Sequence, residues 1–253
     1  MLGVRIYLHS LRQVFGNLGA ALRVSGLLYL VQTLVVFLIG ISVLTSLTDF
    51  GALARSNFTF LRVAAWLTVT VVTGIWMAVA WHRFILRSEL PRSILPPFPR
   101  DSFASYLGWG AILVIIALFL FFALGLLGAI AARSLFATSP QLAFVAAVFI
   151  VKIPLATILF CLSPALPSAA VRENLTIGQG WEKTRGHILD ILIVAILLVA
   201  TELLVDYLLG YLPRVFWLMQ VVNIVLGWVY WAVGISIIST IYGHLVEGRP
   251  LKA

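Results

Sequence analysis

Charged side chains are scarce in this sequence: only 10% of its 253 residues are Asp, Glu, Lys or Arg, whereas 62% are hydrophobic. The mean hydropathy is +1.10. A soluble globule of this length needs many more polar residues, because its surface must be hydrated. The composition therefore excludes a soluble protein and predicts a polytopic membrane protein with a single membrane domain over residues 1–253.

Acidic residues and cysteine are also scarce. Nine Asp and Glu stand against 17 Lys and Arg, which gives a formal net charge of +8. In a soluble protein this excess suggests nucleic-acid binding, but here the basic residues lie mostly between apolar runs, where they set topology and contact lipid head groups. We expect anionic membrane lipids as partners, other membrane proteins as further candidates, and no nucleic acid. The one cysteine, Cys161, excludes a disulfide framework and a Cys-rich metal site.

Catalytic signatures are the third absence. The sequence contains no G-x-S-x-G elbow, Walker loop or Rossmann fingerprint, and no histidine has a second ligand at the spacing of H-E-x-x-H. We therefore expect no catalytic, cofactor-binding or metal-binding residue, no cofactor and no enzymatic activity. One alternative stays open, an enzyme that acts on lipid at the membrane face through residues such as His82, Arg83, Arg87 and Glu89.

Long apolar runs dominate what is present. A helix of about 20 apolar residues crosses roughly 30 Å of hydrocarbon. The connections after the first, third and fifth runs (45–61, 133–141 and 213–214) are short or weakly charged, whereas the other two are longer and basic, which predicts three helical hairpins. The predicted spans of this all-α fold are residues 25–44, 63–81, 106–132, 142–166, 191–212 and 215–242.

Residues 1–23 precede the first span and have the pattern of an amphipathic helix. Apolar residues recur at helical spacing, and Arg5, His9 and Arg12 share the opposite face. This pattern predicts an interfacial helix that lies in the membrane surface. The residues of its predicted apolar face are Val4, Leu8, Leu11, Phe15, Leu18 and Leu22.

Lys and Arg residues flank the predicted spans unequally. Twelve lie on one side and four on the other, not counting Lys152, which falls inside a span. Under the positive-inside rule this asymmetry predicts a bacterial inner-membrane protein with both termini in the cytoplasm. The larger group is Arg5, Arg12, Arg23, Arg83, Arg87, Arg92, Arg100, Arg172, Lys183, Arg185, Arg249 and Lys252, and the smaller is Arg55, Arg62, Arg133 and Arg214.

The chain also contains an internal repeat. Residues 11–28 can be aligned with residues 181–198, which pairs Gly16 with Gly186 at the start of an apolar run. The second, fourth and sixth spans end in the related segments LRSEL, VRENL and LVEGR. This pattern predicts an interfacial segment plus a hairpin, repeated three times, although apolar sequences also align by coincidence.

The segment GQGWEKTRGHILDILIVAIL carries the most distinctive motif, through Trp181, Thr184, Arg185 and Gly186. It resembles the W-x-x-T-[KR]-G segment of bacterial six-helix inner-membrane families related to the membrane domain of glycerophosphoryl diester phosphodiesterases. The resemblance implies a six-helix membrane module whose soluble phosphodiesterase domain is absent. It implies no catalytic residue here.

The same turn has a physical interpretation of its own. A tryptophan at head-group level, basic side chains beside lipid phosphates and a glycine at the bend are typical of a helix that turns into the membrane. We interpret it as an interfacial anchor, and the alternative is a specific site for a lipid head group. The candidate residues of the anchor are Arg172, Trp181, Lys183, Arg185, Gly186 and His187.

Three ionisable residues fall inside predicted spans. Lys152 lies in the fourth span, and Glu202 and Asp206 share one face of the fifth at i,i+4 spacing. An unpaired charge at this depth costs several kcal/mol, so we predict a contact between Lys152 and Glu202. The pair either clamps two helices together or belongs to a polar path joined by Gln220 and Asn223.

These observations predict a non-catalytic integral membrane module that associates with lipids, with partner membrane proteins, or with both. The first alternative is a small-solute or proton-coupled transporter that uses Lys152 and Glu202. The second is the membrane-interface enzyme described above.

Overall fold

The computed structural model describes residues 1–47, 57–213 and 215–251, and every regular element in these ranges is a helix. Short π-helical turns occupy Leu22–Gly26 and Tyr242–Val246, and a 3-10 turn occupies Arg185–His187. The α-helices are α1 (Leu2–Phe15), α2 (Leu18–Ala21), α3 (Leu27–Leu47), α4 (Asn57–Arg87), α5 (Arg100–Thr138), α6 (Pro140–Leu162), α7 (Ala165–Ala170), α8 (Ile177–Thr184), α9 (Ile188–Leu209) and α10 (Phe216–Ile241).

Six helical stretches are long and apolar enough to cross a membrane: 18–38, 60–87, 100–131, 145–170, 177–209 and 216–246. They are built around α3, α4, α5, α6, α9 and α10. This confirms the predicted all-α, six-span fold, and the protein is a multi-pass membrane protein. Part of the predicted connection 45–61 lies outside the described residues, as do Arg55, Arg214 and Lys252.

The turn between α5 and α6 is shorter than predicted. The connection expected at 133–141 is reduced to Ser139, because α5 continues to Thr138 and α6 begins at Pro140. The Ser139 side chain accepts a hydrogen bond from the Leu142 N–H at 3.5 Å, and proline is favoured in the first turn of a helix. A cap and a proline therefore start the second helix at once.

One end of the bundle collects the connections between units, and we call it the basic end. Here α1, the connectors 88–99 and 171–176, and residues 242–251 meet the ends of the spans. Ser10 Oγ donates to Thr240 Oγ1 at 3.0 Å, and Arg83 Nε donates to the Ala170 carbonyl at 2.9 Å. We call the other end, where α5 meets α6, the opposite end.

The six spans belong to three similar units, residues 1–90, 91–175 and 176–251. In each unit one span leads away from the basic end and a second returns. The returning span packs against the outgoing span of the next unit, α4 against α5 and α6 against α9. The returning span of the third unit, α10, packs against α4 of the first unit. Its Trp228 Nε1 also donates to Ser25 Oγ, directly before α3, at 2.9 Å.

The segment that begins each unit packs on the returning span of the unit before it. Trp76 Nε1 of α4 donates to the Pro96 carbonyl of the second unit at 3.1 Å. Thr184 Oγ1 of α8 donates to the Cys161 carbonyl of α6 at 2.9 Å. In the first unit α1 packs on α10 of the third. These contacts agree with the threefold repeat predicted from the sequence.

All three returning spans end in the same backbone conformation. Ser88, Arg172 and Gly248 have φ angles of 55°, 65° and 71°, which are left-handed. A left-handed residue directly after a helix turns the chain away and lets later N–H groups reach the last carbonyls, as Glu173 N does to Ser168 O at 2.8 Å. The three caps are the segments LRSEL, VRENL and LVEGR that the sequence aligned.

Helix α1 packs into the bundle along one face, and its other face is exposed. Its buried residues include Gly3, Tyr7 and Ser10, which contact α9 and α10. A Cβ on Gly3 would lie 2.2 Å from the Asp190 carbonyl oxygen, so only glycine permits this approach. Four residues of the predicted apolar stripe, Leu8, Phe15, Leu18 and Leu22, are exposed and do not form the face that packs on α9 and α10. Arg12 is exposed beside Leu8 and Phe15, so it does not lie on the opposite face as predicted.

The position of α1 also changes the third hairpin. The helices α3 and α4 pack along each other, as do α5 and α6, whereas α9 and α10 scarcely touch. Helix α1 packs against both α9 and α10 and occupies the space between them near the basic end. The third predicted hairpin is therefore opened by the helix from the first unit.

Candidate functional site

The intramembrane polar pair lies between α6 and α9. Lys152 Nζ donates to Glu202 Oε2 at 2.8 Å, which is the contact expected from the sequence. The Lys152 side chain is 53% exposed and that of Glu202 is 24% exposed. The pair therefore bridges the two helices at the surface of the bundle, where each charge has an opposite partner.

Further polar groups face the gap between α9 and α10. Tyr7 Oη of α1 lies 2.7 Å from Thr201 Oγ1 of α9. Tyr230 of α10 lies within electrostatic range of Glu202 and Asp206, and its buried hydroxyl has no hydrogen-bond partner among the described residues. This side of the Lys152–Glu202 pair is thus polar.

Two residues proposed for a polar path lie apart from this cluster. Within the described ranges no hydrogen bond or ion pair joins Gln220 or Asn223 of α10 to Lys152 or Glu202. Gln220 is half-buried and Asn223 is exposed. The polar groups around Glu202 therefore form a local cluster between α6, α9 and α10.

The predicted anchor begins with a capped helix. Thr176 and Gln179 form a capping box at the start of α8, with the Gln179 N–H donating to Thr176 Oγ1 at 3.2 Å. Helix α8 buries Gly180 and Thr184 against the end of α6. A Cβ at position 180 would lie 3.4 Å from Pro164 Cβ, which is van der Waals contact, so the backbone at Gly180 packs directly on the end of α6. The sequence therefore fixes α8 firmly to the bundle.

The outer face of this turn carries its charges. Lys183, Arg185 and Gly186 are exposed, while Trp181 is half-buried and packs against the core. Neither Lys183 nor Arg185 has an ion pair among the described residues. The structure thus presents two free cations beside an anchored indole ring.

The other two candidate anchor residues have different surroundings. Arg172 pairs with Asp101 of α5, and His187 Nδ1 lies 3.7 Å from Asp190 Oδ2 of α9. In the part of the chain that the structure describes, no polar contact joins Arg172 to α8 or to His187. The six predicted residues therefore do not form a single site.

A polar cluster at the basic end was missed by sequence reasoning. Arg87 Nη2 donates to Glu173 Oε1 at 2.5 Å, and the Tyr242 hydroxyl donates to the other Glu173 oxygen. Glu247 pairs with Arg249 and lies 3.9 Å from Arg87. All three caps contribute to this cluster. The alignment of the three capping segments indicated that they are equivalent but not that they meet.

The residues of the enzyme alternative are used in packing contacts. Both ring nitrogens of His82 are occupied, Nδ1 by Ser239 Oγ at 2.8 Å and Nε2 by the Tyr106 hydroxyl at 3.1 Å. Arg83 bonds to the Ala170 carbonyl and to Ser102. No group of three or more His, Cys, Asp or Glu in the described ranges is arranged to hold a metal ion.

The fold and these contacts define an all-α, multi-pass membrane protein with one polar cluster between its spans and another at its basic end. Comparison with known proteins finds no matching family model, no matching curated protein and no matching solved structure.

Proposed function

We propose that the protein is a non-catalytic membrane module that associates with anionic lipid head groups through its basic end, with partner membrane proteins, or with both. One observation carries the lipid part of this proposal, the distribution of ion pairs at that end. Most acidic residues there form intramolecular ion pairs, whereas many basic residues are exposed and form none among the described residues.

Five of the six acidic residues in the described part of the basic end have a basic partner within 4.0 Å: Glu89, Asp101, Glu173, Asp190 and Glu247. Seven cations there are exposed and have no ion pair, namely Arg5, Arg12, Arg23, Arg92, Arg100, Lys183 and Arg185. A basic residue next to an anionic leaflet contributes about 1 kcal/mol of attraction. The combined effect favours binding of anionic lipids at this end.

This assignment also supports an orientation. Because free cations gather at the basic end, the positive-inside rule favours a protein of the bacterial inner membrane with both termini in the cytoplasm. The resemblance of the Trp181–Gly186 turn to the six-helix families fits the same proposal, since α8 holds that turn firmly against α6.

The test is the lipid composition retained by the full chain in mild detergent containing equal phosphatidylglycerol and phosphatidylcholine. The Lys183→Glu, Arg185→Glu double variant should at least halve the retained ratio of the anionic lipid, because it reverses two exposed charges. Arg133→Glu, an exposed cation near the end of α5, is the matched control and should leave the ratio unchanged. Equal retention by both variants contradicts the proposal.

A second function, transport of a small solute or proton-coupled transport, is favoured by one observation. The separation of α9 from α10 leaves Glu202, Asp206 and the Tyr230 hydroxyl beside the same gap, and this hydroxyl has no hydrogen-bond partner among the described residues. Carboxylates at this depth in a membrane protein commonly mark ion paths. The gap would then be the part of the path near the opposite end.

Flux into liposomes separates the two functions. Under the transport hypothesis Glu202→Gln abolishes uptake while the protein stays folded. Under the module hypothesis the wild-type chain shows no flux above empty liposomes, and Glu202→Gln changes only stability. Flux that is present in the wild-type chain and survives in Glu202→Gln would contradict a transport path that uses Glu202.

A further inference from the structure

A cavity of about 490 Å³ lies at the basic end, between α1, the last turn of α4 and residues 242–251. Its volume is within the range of about 300–1,000 Å³ that is typical of small-molecule sites. It is distinct from the Lys152–Glu202 pair and from the α8 anchor, because none of those residues lines it. Its walls are Phe84 and Ile85 on one side and Leu251 on another.

The lining of this cavity is positively charged. It contains Arg12 and His9 from α1 together with His244 and Arg249 from the C-terminal segment, and none of the described lining residues is acidic. Arg12 is exposed and has no ion pair within the described ranges. The cavity therefore offers an uncompensated cation to a ligand.

Two of these side chains are held in place by their own contacts. Arg249 Nη2 donates to the Leu86 carbonyl at 2.7 Å, and its Nε bonds to Glu247. His244 Nδ1 donates to the Arg249 carbonyl at 2.7 Å, because a carbonyl oxygen only accepts. His244 Nε2 has no hydrogen bond within the described ranges and remains for a ligand.

A neutral donor completes the set. The Thr240 hydroxyl donates to Gln13 Oε1 at 3.2 Å, which leaves the two N–H groups of the Gln13 amide. Gln13 and Arg12 approach the cavity from α1, while His244 approaches from the C-terminal segment. A group with several acceptor oxygens and a negative charge can use donors from both directions, and phosphate has this chemistry.

The surroundings of Arg12 indicate where the phosphate comes from. Leu8 and Phe15 lie four residues before and three residues after Arg12, on the same face of α1, and are 46% and 50% exposed. In a membrane such side chains lie against acyl chains. We propose that the cavity binds a phosphate group, and that this group is the head-group phosphate of an anionic phospholipid. The assignment refines the lipid association proposed above.

The test is calorimetric titration of the full chain in detergent with soluble dihexanoyl phosphatidylglycerol, and separately with glycerol 3-phosphate as the free phosphate. Arg12→Gln should weaken binding of the lipid about tenfold or more, since it removes a charge-assisted hydrogen bond. Arg5→Gln removes the same charge from the same helix but not from the cavity lining, and should cost less than about twofold.

Equal weakening by Arg12→Gln and Arg5→Gln, or no saturable binding of either probe, overturns the site. Binding of glycerol 3-phosphate with the same dependence on Arg12 keeps the phosphate site and overturns its lipid source. If Arg12→Gln lowers thermal stability, His244→Gln tests the cavity from the other segment, because glutamine still donates to the Arg249 carbonyl. If only the Lys183→Glu, Arg185→Glu variant gives the contrary result and retains the anionic lipid, the general lipid association of the basic end is contradicted and the cavity site is not.

Discussion

The basic end and the opposite end of this bundle are held together differently. At the basic end large side chains such as Trp81, Ile6 and Tyr242 are fully buried around α1. Towards the opposite end Phe119, Phe122 and other large apolar side chains are exposed, at 73% and 70% for these two. Packing within the chain therefore stabilises one end, while the surface of the other is apolar enough to be covered by lipid.

Polar groups show the same contrast. The basic end joins its caps through Arg87, Glu173 and Tyr242, and seats His82 between two hydroxyl groups. Among the described residues, the buried side-chain atoms without a hydrogen bond are Trp66 Nε1, Thr70 Oγ1 and Tyr230 Oη, all outside the basic end. We conclude that the basic end is the structural centre of the protein.

A matched pair of tryptophan substitutions tests this contrast most strongly. Trp81→Ala should lower the free energy of unfolding by about 3–5 kcal/mol, because it opens a cavity and removes the indole that donates to Ser236 Oγ at 2.8 Å. Trp217→Ala removes a ring that is 66% exposed and should cost far less. Unfolding in a sodium dodecyl sulfate titration measures both, and similar losses would contradict the proposed contrast.

The docking of α1 can be tested at glycine. Gly3→Ala places a methyl group against the Asp190 carbonyl and the Ile193 side chain, so we expect a loss of about 1–3 kcal/mol in the free energy of unfolding. Gly19→Ala is the control, because a Cβ there meets nothing within 4 Å. Protease cleavage within residues 1–23 should increase only in the first variant, and unchanged cleavage in Gly3→Ala would count against close packing of α1.

The cap cluster contributes less. Glu173→Gln weakens the contacts with Arg87 and Tyr242, and we expect a loss of about 1–2 kcal/mol, since an arginine loses its charged partner. Glu182→Gln removes the same charge from an exposed residue that has no ion pair in the described part of the chain, and it should change stability by less than about 0.5 kcal/mol. Thermal unfolding in detergent measures both losses. If the cluster stabilises the fold, the loss in Glu173→Gln exceeds the loss in Glu182→Gln.

The smallest effect is expected outside the basic end, at the Lys152–Glu202 pair between α6 and α9. A double-mutant cycle of Lys152→Met and Glu202→Gln should give a coupling energy of about 0.6 kcal/mol, the average for polar contacts between membrane helices. The pair is partly exposed, which keeps its contribution small. A coupling energy larger than that of the Arg87–Glu173 pair would place a second structural centre between α6 and α9.

The sequence was informative where a local pattern determines structure. Apolar length predicted the six spans, and the cost of an unpaired charge predicted the contact of Lys152 with Glu202. The docking of α1 was not predictable, because an amphipathic pattern shows an apolar stripe but not the partner that small residues such as Gly3 admit. The cap cluster joins Arg87 to Glu173, 86 positions away, and no local pattern encodes that distance.

The place of α1 between α9 and α10 has a consequence for biosynthesis. Its contacts Tyr7–Thr201 and Ser10–Thr240 join residues 194 and 230 positions apart. During translation α1 is complete long before its docking surface exists, and it stays an undocked amphipathic helix until the third unit has been inserted. Closure of the core is thus delayed to the end of synthesis, and a chain halted before α10 keeps α1 accessible to proteases and chaperones.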